Sequence, residues 1–496
     1  MGDMDGKKRD ATRWSRLLQW LENSHDMDTR QLMVEARTVE GAGRGLFATK
    51  SCPPSTTLFT IPKKALMNLD TLKSLYSPVA DIRLSAVQMI SLHLLLHRPA
   101  GEEDSLDPTF GPYISTLPRD FVSHPLAWLV ERPRKSEQTA EGLILRNLPP
   151  SVTDALHTLY ARFLEDYQTI CTYLNKNHQI LATSSRQKPH LPMPYGASAS
   201  MTLVKDYCWA WLNVNTRSIY YPIRGADPEK DCLTLCPILD FANHNEASSQ
   251  ITPIIESPFR SPSSQTFAGD FTFKSCLQTD IKGGQQLFLR YGGHSNRTFF
   301  AEYGFVNRFT PESIASGQFR GEVDVQDLVE EYILAIKPAQ GGSRGFSTSV
   351  KLGNWLANTL QEEGYWGEWT LDSLPLPAHP SYRLITALRL IQIASTWEVA
   401  APGSLPEVIT QSWKDVMNGR RESISEENEK GWRDILQKIC NQVSRRAQKG
   451  LDQTVKDLAG LEGWLAWMRE NVACLWREEM EVADAVVRSL QTGEVF

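Results

Sequence analysis

The apolar run PILDF leads straight into a polar cluster, so that Asp240, Asn243, His244 and Asn245 crowd the end of a strand-like segment. Asn and His together offer donors and acceptors to a purine edge or an amino-acid group, and neither has to be charged at pH 7 to do so. The same crowding also suits an Asx-turn beside a satisfied histidine. A second segment, LFLRYGGHSNRTFFAEYGFV, sets Tyr291 at a strand end before Gly-Gly and follows it with Tyr303, Gly304 and Phe305. Ring faces attract cations and ring walls exclude water, so these side chains could enclose an alkyl-ammonium or sulfonium group. Packing in a core is the commoner use of any single Tyr or Phe.

Two further segments carry weaker signals. In GAGRGLFA, Gly41, Gly43 and Gly45 are spaced so that backbone rather than side chain could approach a ligand, though a β-turn has the same composition. The spacing matches neither a dinucleotide fingerprint nor a P-loop. In YCWAWLNVNTRSIYY, Trp209, Trp211, Asn215 and Thr216 stand beside Arg217, a cation able to anchor a carboxylate or to sit in a surface ion pair. No Gly-x-Ser-x-Gly elbow and no HExxH motif occurs, which argues against the hydrolase readings. Of eight scattered cysteines only Cys232 and Cys236 are close neighbours, and with His244 as the nearest further ligand they fall short of a zinc set.

The elements that would position these residues follow from periodicity. WSRLLQWLEN, residues 14–23, has the spacing of an amphipathic helix. From Met33 the texture turns to short apolar runs broken by Gly and Pro (MVEAR, GLFAT, TLFTIP), which predicts a strongly turned β region. Between about Ser85 and Thr202 the pattern is helical, ending in the Ser/Pro/Ala-rich stretch ATSSRQKPHLPMPYGASAS, expected to be a mobile loop. The β texture then resumes in LTLCPILDFANH, FTFKSCLQTDI and KGGQQLFLRYGG, with ESPFRSPSSQTFAGD as a surface loop between them. Beyond about Thr310 the chain reads as helical to its end, with Val455, Leu458, Leu465, Met468, Val472 and Leu475 along one stripe.

Composition sets outer limits. The 496 residues are 41% apolar and 22% charged, as in ordinary globular proteins, and their number suggests more than one domain. A net charge of −6 argues against a protein that coats nucleic acid and suits a basic protein partner. The start MGDMDGKKRD has no apolar stretch, Gly6 stands where a myristoylation motif wants Ser or Thr, and the run from Ile90 to Leu96 is too short to span a bilayer. A soluble intracellular protein is therefore expected.

The order of the segments GAGRGLFA, FGPYISTLPRDFVSHPLAW, AWLNVNTRSIYY, LCPILDFANHN and YGGHSNRTFFAEYGFV, spread over residues 33–307, resembles the SET-domain methyltransferases of the Rubisco large-subunit methyltransferase type. The resemblance implies an α+β fold class: an N-terminal helical extension (1–31), a SET β fold (32–308) split by a helical insert at about 85–202, and an all-helical C-terminal substrate-binding domain (309–496). S-adenosylmethionine is the implied cofactor. Ala42, Gly43, Arg44, Gly45 and Leu46 would give it backbone contacts, and Asn243 and His244 would hold its adenine and amino-acid portions. Arg217 would sit beside donor and substrate channel, with Asp240 also on the substrate side. Tyr291 matches the active-site tyrosine, while Tyr303 and Phe305 match the aromatic pair that closes the adenosine and lysine pockets. No metal is implied.

The activity the resemblance implies is protein-lysine N-methylation: a neutral lysine amine attacks the sulfonium methyl in line within a narrow channel, and Tyr291 orients the nitrogen. The implied partner is a protein substrate. Nucleic acid and membrane are not implied as partners, a monomer is expected, and the compartment is cytoplasm, nucleus or both. Two other readings stay open. One is a histidine acceptor, which Leu239 disfavours because that branch of the family carries a bulkier Trp there. The other is a catalytically silent SET fold that binds proteins through its helical tail. Two departures are noted: Asn245 stands where the family often has Ser, and the stretch 251–270 is longer than expected.

Overall fold

A computed structural model describes residues 2–39, 43–131, 138–177, 179–180, 201–223, 225–246, 248–254, 269–336, 345–396 and 407–496. Ala42 and most of the two stretches read above as loops, ATSSRQKPHLPMPYGASAS and ESPFRSPSSQTFAGD, lie outside these residues. Along the chain, α1 (Gly2–His25) precedes the hairpin strands β1 (Val34–Val39) and β2 (Gly43–Ala48), then β3 (Thr57–Ile61), β4 (Met67–Asn68) and α2 (Leu69–Leu72). A helical stretch follows: α3 (Ala86–Leu96), α4 (Gly111–Ile114), α5 (Pro125–Glu131), α6 (Ala140–Arg146), α7 (Pro150–Lys176) and α8 (Met201–Arg217). Strands resume as β5 (Ile219–Tyr220), β6 (Leu233–Leu235), β7 (Asn243–His244), β8 (Ile251–Ile254), β9 (Phe271–Ser275) and β10 (Gln286–Leu289). The remainder comprises α9 (Asn296–Tyr303), α10 (Pro311–Ala315), β11 (Glu322–Asp324), α11 (Gln326–Ala335), α12 (Gly345–Glu362), β12 (Thr370–Asp372), β13 (His379–Pro380), α13 (Tyr382–Thr396), α14 (Glu407–Met417), α15 (Glu426–Asp457) and α16 (Gly463–Gln491).

The chain divides into two compact units, Met1–Lys135 with His157–Gly293, and Ser136–Leu156 with His294–Phe496. In the first unit, three small sheets run in the orders β1-β2-β10-β7, β3-β9-β8 and β4-β6-β5. β2 is central, antiparallel to β1 from Val34↔Ala48 to Val39↔Gly43 and antiparallel to β10 at Phe47↔Gln286. β10 then pairs in parallel with β7, Phe288 beside Asn243 and Leu289 beside His244. That single parallel pairing draws together two segments some forty-five residues apart.

The helices of this unit form for local reasons that also fix their packing. α1 is longer than the amphipathic stretch 14–23: it buries Leu17 and Leu21, and the guanidinium of Arg13 is tied to Asp104 at 3.0 Å. α3 opens with a capping box in which Ser85 Oγ accepts from the Gln88 amide and Gln88 Oε1 accepts from the Ser85 amide, satisfying donors the helix leaves free. Gln88 and the indole of Trp211 in α8 both donate to Asp166 of α7, each at 2.8 Å, so these three side chains link three helices. Phe163, Tyr207 and Trp211 fill the space between α7 and α8.

The second unit is built on α15 and α16, which run antiparallel: Arg433 donates to the Glu494 carbonyl, Ser444 to Asp484, and Gly450 abuts Trp476. Leu360, Trp369, Leu388, Trp413, Trp432, Leu436 and Val482 are among the residues of its core. A three-stranded antiparallel sheet, β11-β12-β13, adds to this helical region. Its strands are two or three residues long, too short to leave a period-two pattern.

Candidate active site

The geometry around Asn243 and His244 begins with the backbone just before them. Ile238 has φ +70° and ψ −52°, and the Leu239 amide donates to the Pro237 carbonyl at 2.8 Å, which makes a γ-turn. A β-branched residue there is strained, and the fully buried Ile238 side chain holds it in place. A short 3₁₀ turn, Leu239–Phe241, then delivers the chain to β7. Asn243 Nδ2 donates to the Arg44 carbonyl at 3.0 Å, tying β7 to the start of β2.

Tyr291 comes two residues after β10 and is held at both ends. Its backbone N–H donates to His244 Nδ1 at 3.2 Å, and its hydroxyl donates to the Ala242 carbonyl at 2.9 Å. The first bond leaves the His244 proton on Nε2, fixing the neutral tautomer. The two rings lie 5.2 Å apart at 48°. Asn245 Oδ1 accepts from the Ser248 amide at 2.9 Å, three residues on rather than the two of an Asx-turn.

Behind this strand end lies a buried charge cluster. Arg217, the last residue of α8, donates to the Asp240 carbonyl at 2.8 Å and stands 3.7 Å from its carboxylate. The Asp240 side chain is only 3% exposed and accepts from the Tyr113 hydroxyl at 3.3 Å. Burial raises the Asp240 pKa, opposed by the nearby Arg217 and Arg44 cations. Arg44 is itself buried, which pushes its pKa down; it donates to the Thr116 carbonyl, and its guanidinium lies 4.6 Å over the Phe241 ring. Nε of Arg217 is buried with no hydrogen-bond partner among the described residues.

Gly43, Arg44, Arg217, Asp240, Asn243, His244 and Tyr291 are thus brought together in the first unit. Gly43 takes φ +73°, and a Cβ there would meet nothing, which leaves open backbone at the start of β2. Gly45 is small for a different reason, since a Cβ would fall 2.8 Å from Val39 Cγ2 inside the sheet. Leu46 is fully buried and registered with Ala36 on one side and Leu287 on the other. Trp209 and Trp211 serve packing: their indoles donate to the Pro118 carbonyl and to Asp166. Cys232 and Cys236 are buried free thiols.

Tyr303 and Phe305 belong to the second unit, on either side of Gly304, the left-handed cap of α9. Both rings pack on Phe299, at 5.8 and 5.3 Å, and burial raises the Tyr303 pKa to about 12. Sequence reasoning left three parts of the site without a role. Tyr113 and Thr116, in the segment FGPYISTLPRDF, brace Asp240 and Arg44, and Ile238 carries the strained turn. Only Pro237 before Ile238 hinted at a turn.

No protein-family model matches the chain. It is 23% identical over 485 residues to SET domain-containing protein 4 of Mus musculus, spanning 95% of this chain and 89% of that one. It is 25% identical to the ribosomal lysine N-methyltransferase set11 of Schizosaccharomyces pombe, over 68% of this chain and 65% of that one. An actin-histidine N-methyltransferase of Gallus gallus is 26% identical over 61% of this chain and 43% of its own length. Among solved structures, the SET domain of LSMT bound to lysine and AdoHcy superimposes with a TM-score of 0.56 at 17% identity, covering 97% of this chain and 92% of that one. The chain thus shares the fold of the SET domain of LSMT, and along nearly its whole length it is similar in sequence to SET domain-containing protein 4.

Proposed function

We propose that this chain transfers a methyl group from S-adenosylmethionine to the ε-amine of a lysine in a protein substrate. The observation that carries the reading is the double hold on Tyr291, amide to His244 and hydroxyl to the Ala242 carbonyl. With its proton committed to that carbonyl, the phenol oxygen keeps lone pairs that can accept from an amine N–H or face the polarised hydrogens of a sulfonium methyl. When bound, the donor supplies an electrophilic methyl on sulfur. The residues here fit such a group: open backbone at Gly43, two oxygens 2.9 Å apart at Tyr291 and Ala242, and an unpartnered buried N–H on Arg217 suited to a carboxylate.

In this reading the backbone of the segment from Ala42 to Leu46, with Asn243 and His244, holds the donor, and Tyr303 and Phe305 keep the aromatic binding role that the resemblance gives them. Arg217 lies beside the channel. Asp240 acts from the substrate side by holding Arg217, since its carboxylate is already turned to that cation and to Tyr113. A lysine near its ordinary pKa of about 10.4 is charged and cannot attack, so desolvation must lower that value before transfer. The protein is taken to act as a monomer in the cytoplasm or nucleus; among its described residues no helix is long and apolar enough to cross a membrane.

The test is transfer of labelled methyl from the donor to proteins of a cell extract, with the modified residue located by mass spectrometry. Labelled lysine supports the reading. Labelled histidine would assign the chain to the histidine branch, which the similarity to actin-histidine N-methyltransferases brings into play. Donor binding without transfer would make the chain an adaptor.

A further inference from the structure

The last turn of α3 places His93 and His97 one helical turn apart, on the same face, opposite Asp107 in the segment that leads into α4. His93 Nε2 lies 3.4 Å from Asp107 Oδ2, and His97 Nε2 lies 3.5 Å from Asp107 Oδ1. All three ligand atoms fall within 4.8 Å of one another. The side chains of His93 and Asp107 are 1% and 2% exposed and that of His97 11%, so the cluster is closed except at His97.

These separations fit one arrangement better than another. A charge-assisted N–H···O bond between imidazole and carboxylate is about 2.7–2.9 Å long, well short of either distance. Nε2 of His93, fully buried, accordingly makes no hydrogen bond of good geometry among the described residues, its contact with Asp107 at 3.4 Å being long for one. A tetrahedral ion with bonds of about 2.0–2.1 Å has ligands about 3.3–3.4 Å apart along each edge; each separation is close to that length, and because they run to different carboxylate oxygens, Asp107 would hold the ion through both oxygens or turn to present one. The other nitrogen of His93, Nδ1, sits 2.6 Å from the Tyr76 hydroxyl. With Nδ1–H donating to that oxygen, the Nε2 lone pair faces the cluster, as an outer-shell partner of a metal-bound histidine arranges it.

We propose that His93, His97 and Asp107 bind a divalent transition metal, zinc by the nature of the ligands, with the fourth position open on the His97 side. This departs from the expectation that the chain holds no metal. With water completing the fourth position, the ion clamps the end of α3 to the start of α4. From there Tyr113 reaches Asp240 and the Thr116 carbonyl receives Arg44, so the clamp braces the rear of the candidate active site. Asp107 is already held for this role by the Phe110 amide, which donates to its carboxylate.

The experiment is metal analysis of the full chain after exposure to zinc chloride and desalting, repeated with cobalt to read the visible absorption of a tetrahedral site. One zinc per chain is expected, retained when Cys232 and Cys236 are changed to Ser, lost in His97→Gln, and bound about 10–100-fold more weakly in Tyr76→Phe. If His97→Gln does not fold, the wild-type protein provides the second measurement: a chelator should lower its melting temperature, and zinc should restore it. A chain that retains no zinc, or a His97→Gln variant that retains it undiminished, would overturn the proposal in favour of a metal-free His–Asp–His network.

Discussion

Asp240 in the first unit and Glu478 in the second are both carboxylates taken out of water, but their neighbours differ in kind. Asp240 lies between the guanidinium groups of Arg217 and Arg44, which oppose the rise that burial imposes on its pKa. Glu478 accepts from the Asn296 side chain at 2.7 Å and the Glu322 amide at 3.2 Å, and burial pushes its pKa to about 8. Glu479 beside it, paired with Arg446 at 3.5 Å, is raised to about 7. Opposite charge favours an ionised buried acid, whereas neutral amides leave burial in control. Burial raises the pKa in both units; at Asp240 two cations oppose it, at Glu479 one does, and at Glu478, which has only neutral donors, the rise is the larger of the two in the helical unit.

The sharpest way to break this contrast is at Tyr291. Tyr291→Phe removes the hydroxyl while keeping the ring, and methyl transfer in a steady-state assay should fall by roughly 10²–10³-fold. Unchanged turnover would move the chemistry elsewhere.

The next effect concerns the helical unit. An unfolded Glu titrates near 4.5 and Glu478 near 8, so the folded state holds the extra proton between those values. Stability should be highest below about pH 4.5 with respect to this group, decline as pH rises toward 8, and level off beyond, by up to about 5 kcal/mol in total. Denaturant midpoints of wild type and Glu478→Gln across that range measure this, and the variant should show the flatter curve. Equal slopes would mean that Glu478 is ionised in the fold.

A smaller loss is expected where α15 and α16 meet. A Cβ on Gly450 would lie 2.6 Å from Cζ2 of the buried Trp476, whose indole is tied to the Asn147 carbonyl. Gly450→Ala should cost about 2 kcal/mol by chemical denaturation. Gly45→Ala in the first unit should cost less at its nearest contact, because that contact is the mobile end of the Gln286 side chain. If the two costs are equal, packing at the helix pair is softer than the geometry implies. The smallest effect is expected at Asn243→Ala, which loses the bond to the Arg44 carbonyl and should weaken donor binding by about tenfold in calorimetry. Full affinity in that variant would place the donor away from β7.

The outline of the molecule is legible in the sequence because it rests on local pattern. The runs MVEAR, GLFAT and TLFTIP become β1, β2 and β3, and the helical stretch from Ser85 becomes α3 to α8, since periodicity and Gly/Pro punctuation act over a few residues. Tyr291, Asn243 and His244 could be picked out by their place after apolar runs, and the order of segments pointed to the SET family.

What only the tertiary structure decided is which of these groups touch. β7 lies beside β10 because of a parallel pairing between segments far apart in the chain, and no local signal encodes that register. The same holds for Tyr113 and Thr116 behind Asp240 and Arg44, for Asp107 opposite His93 and His97, and for Asn296 against Glu478. Each is a polar group whose partner is supplied by long-range packing. Burial without a partner would have been costly, so the fold as a whole, rather than any segment, determines where these side chains can point.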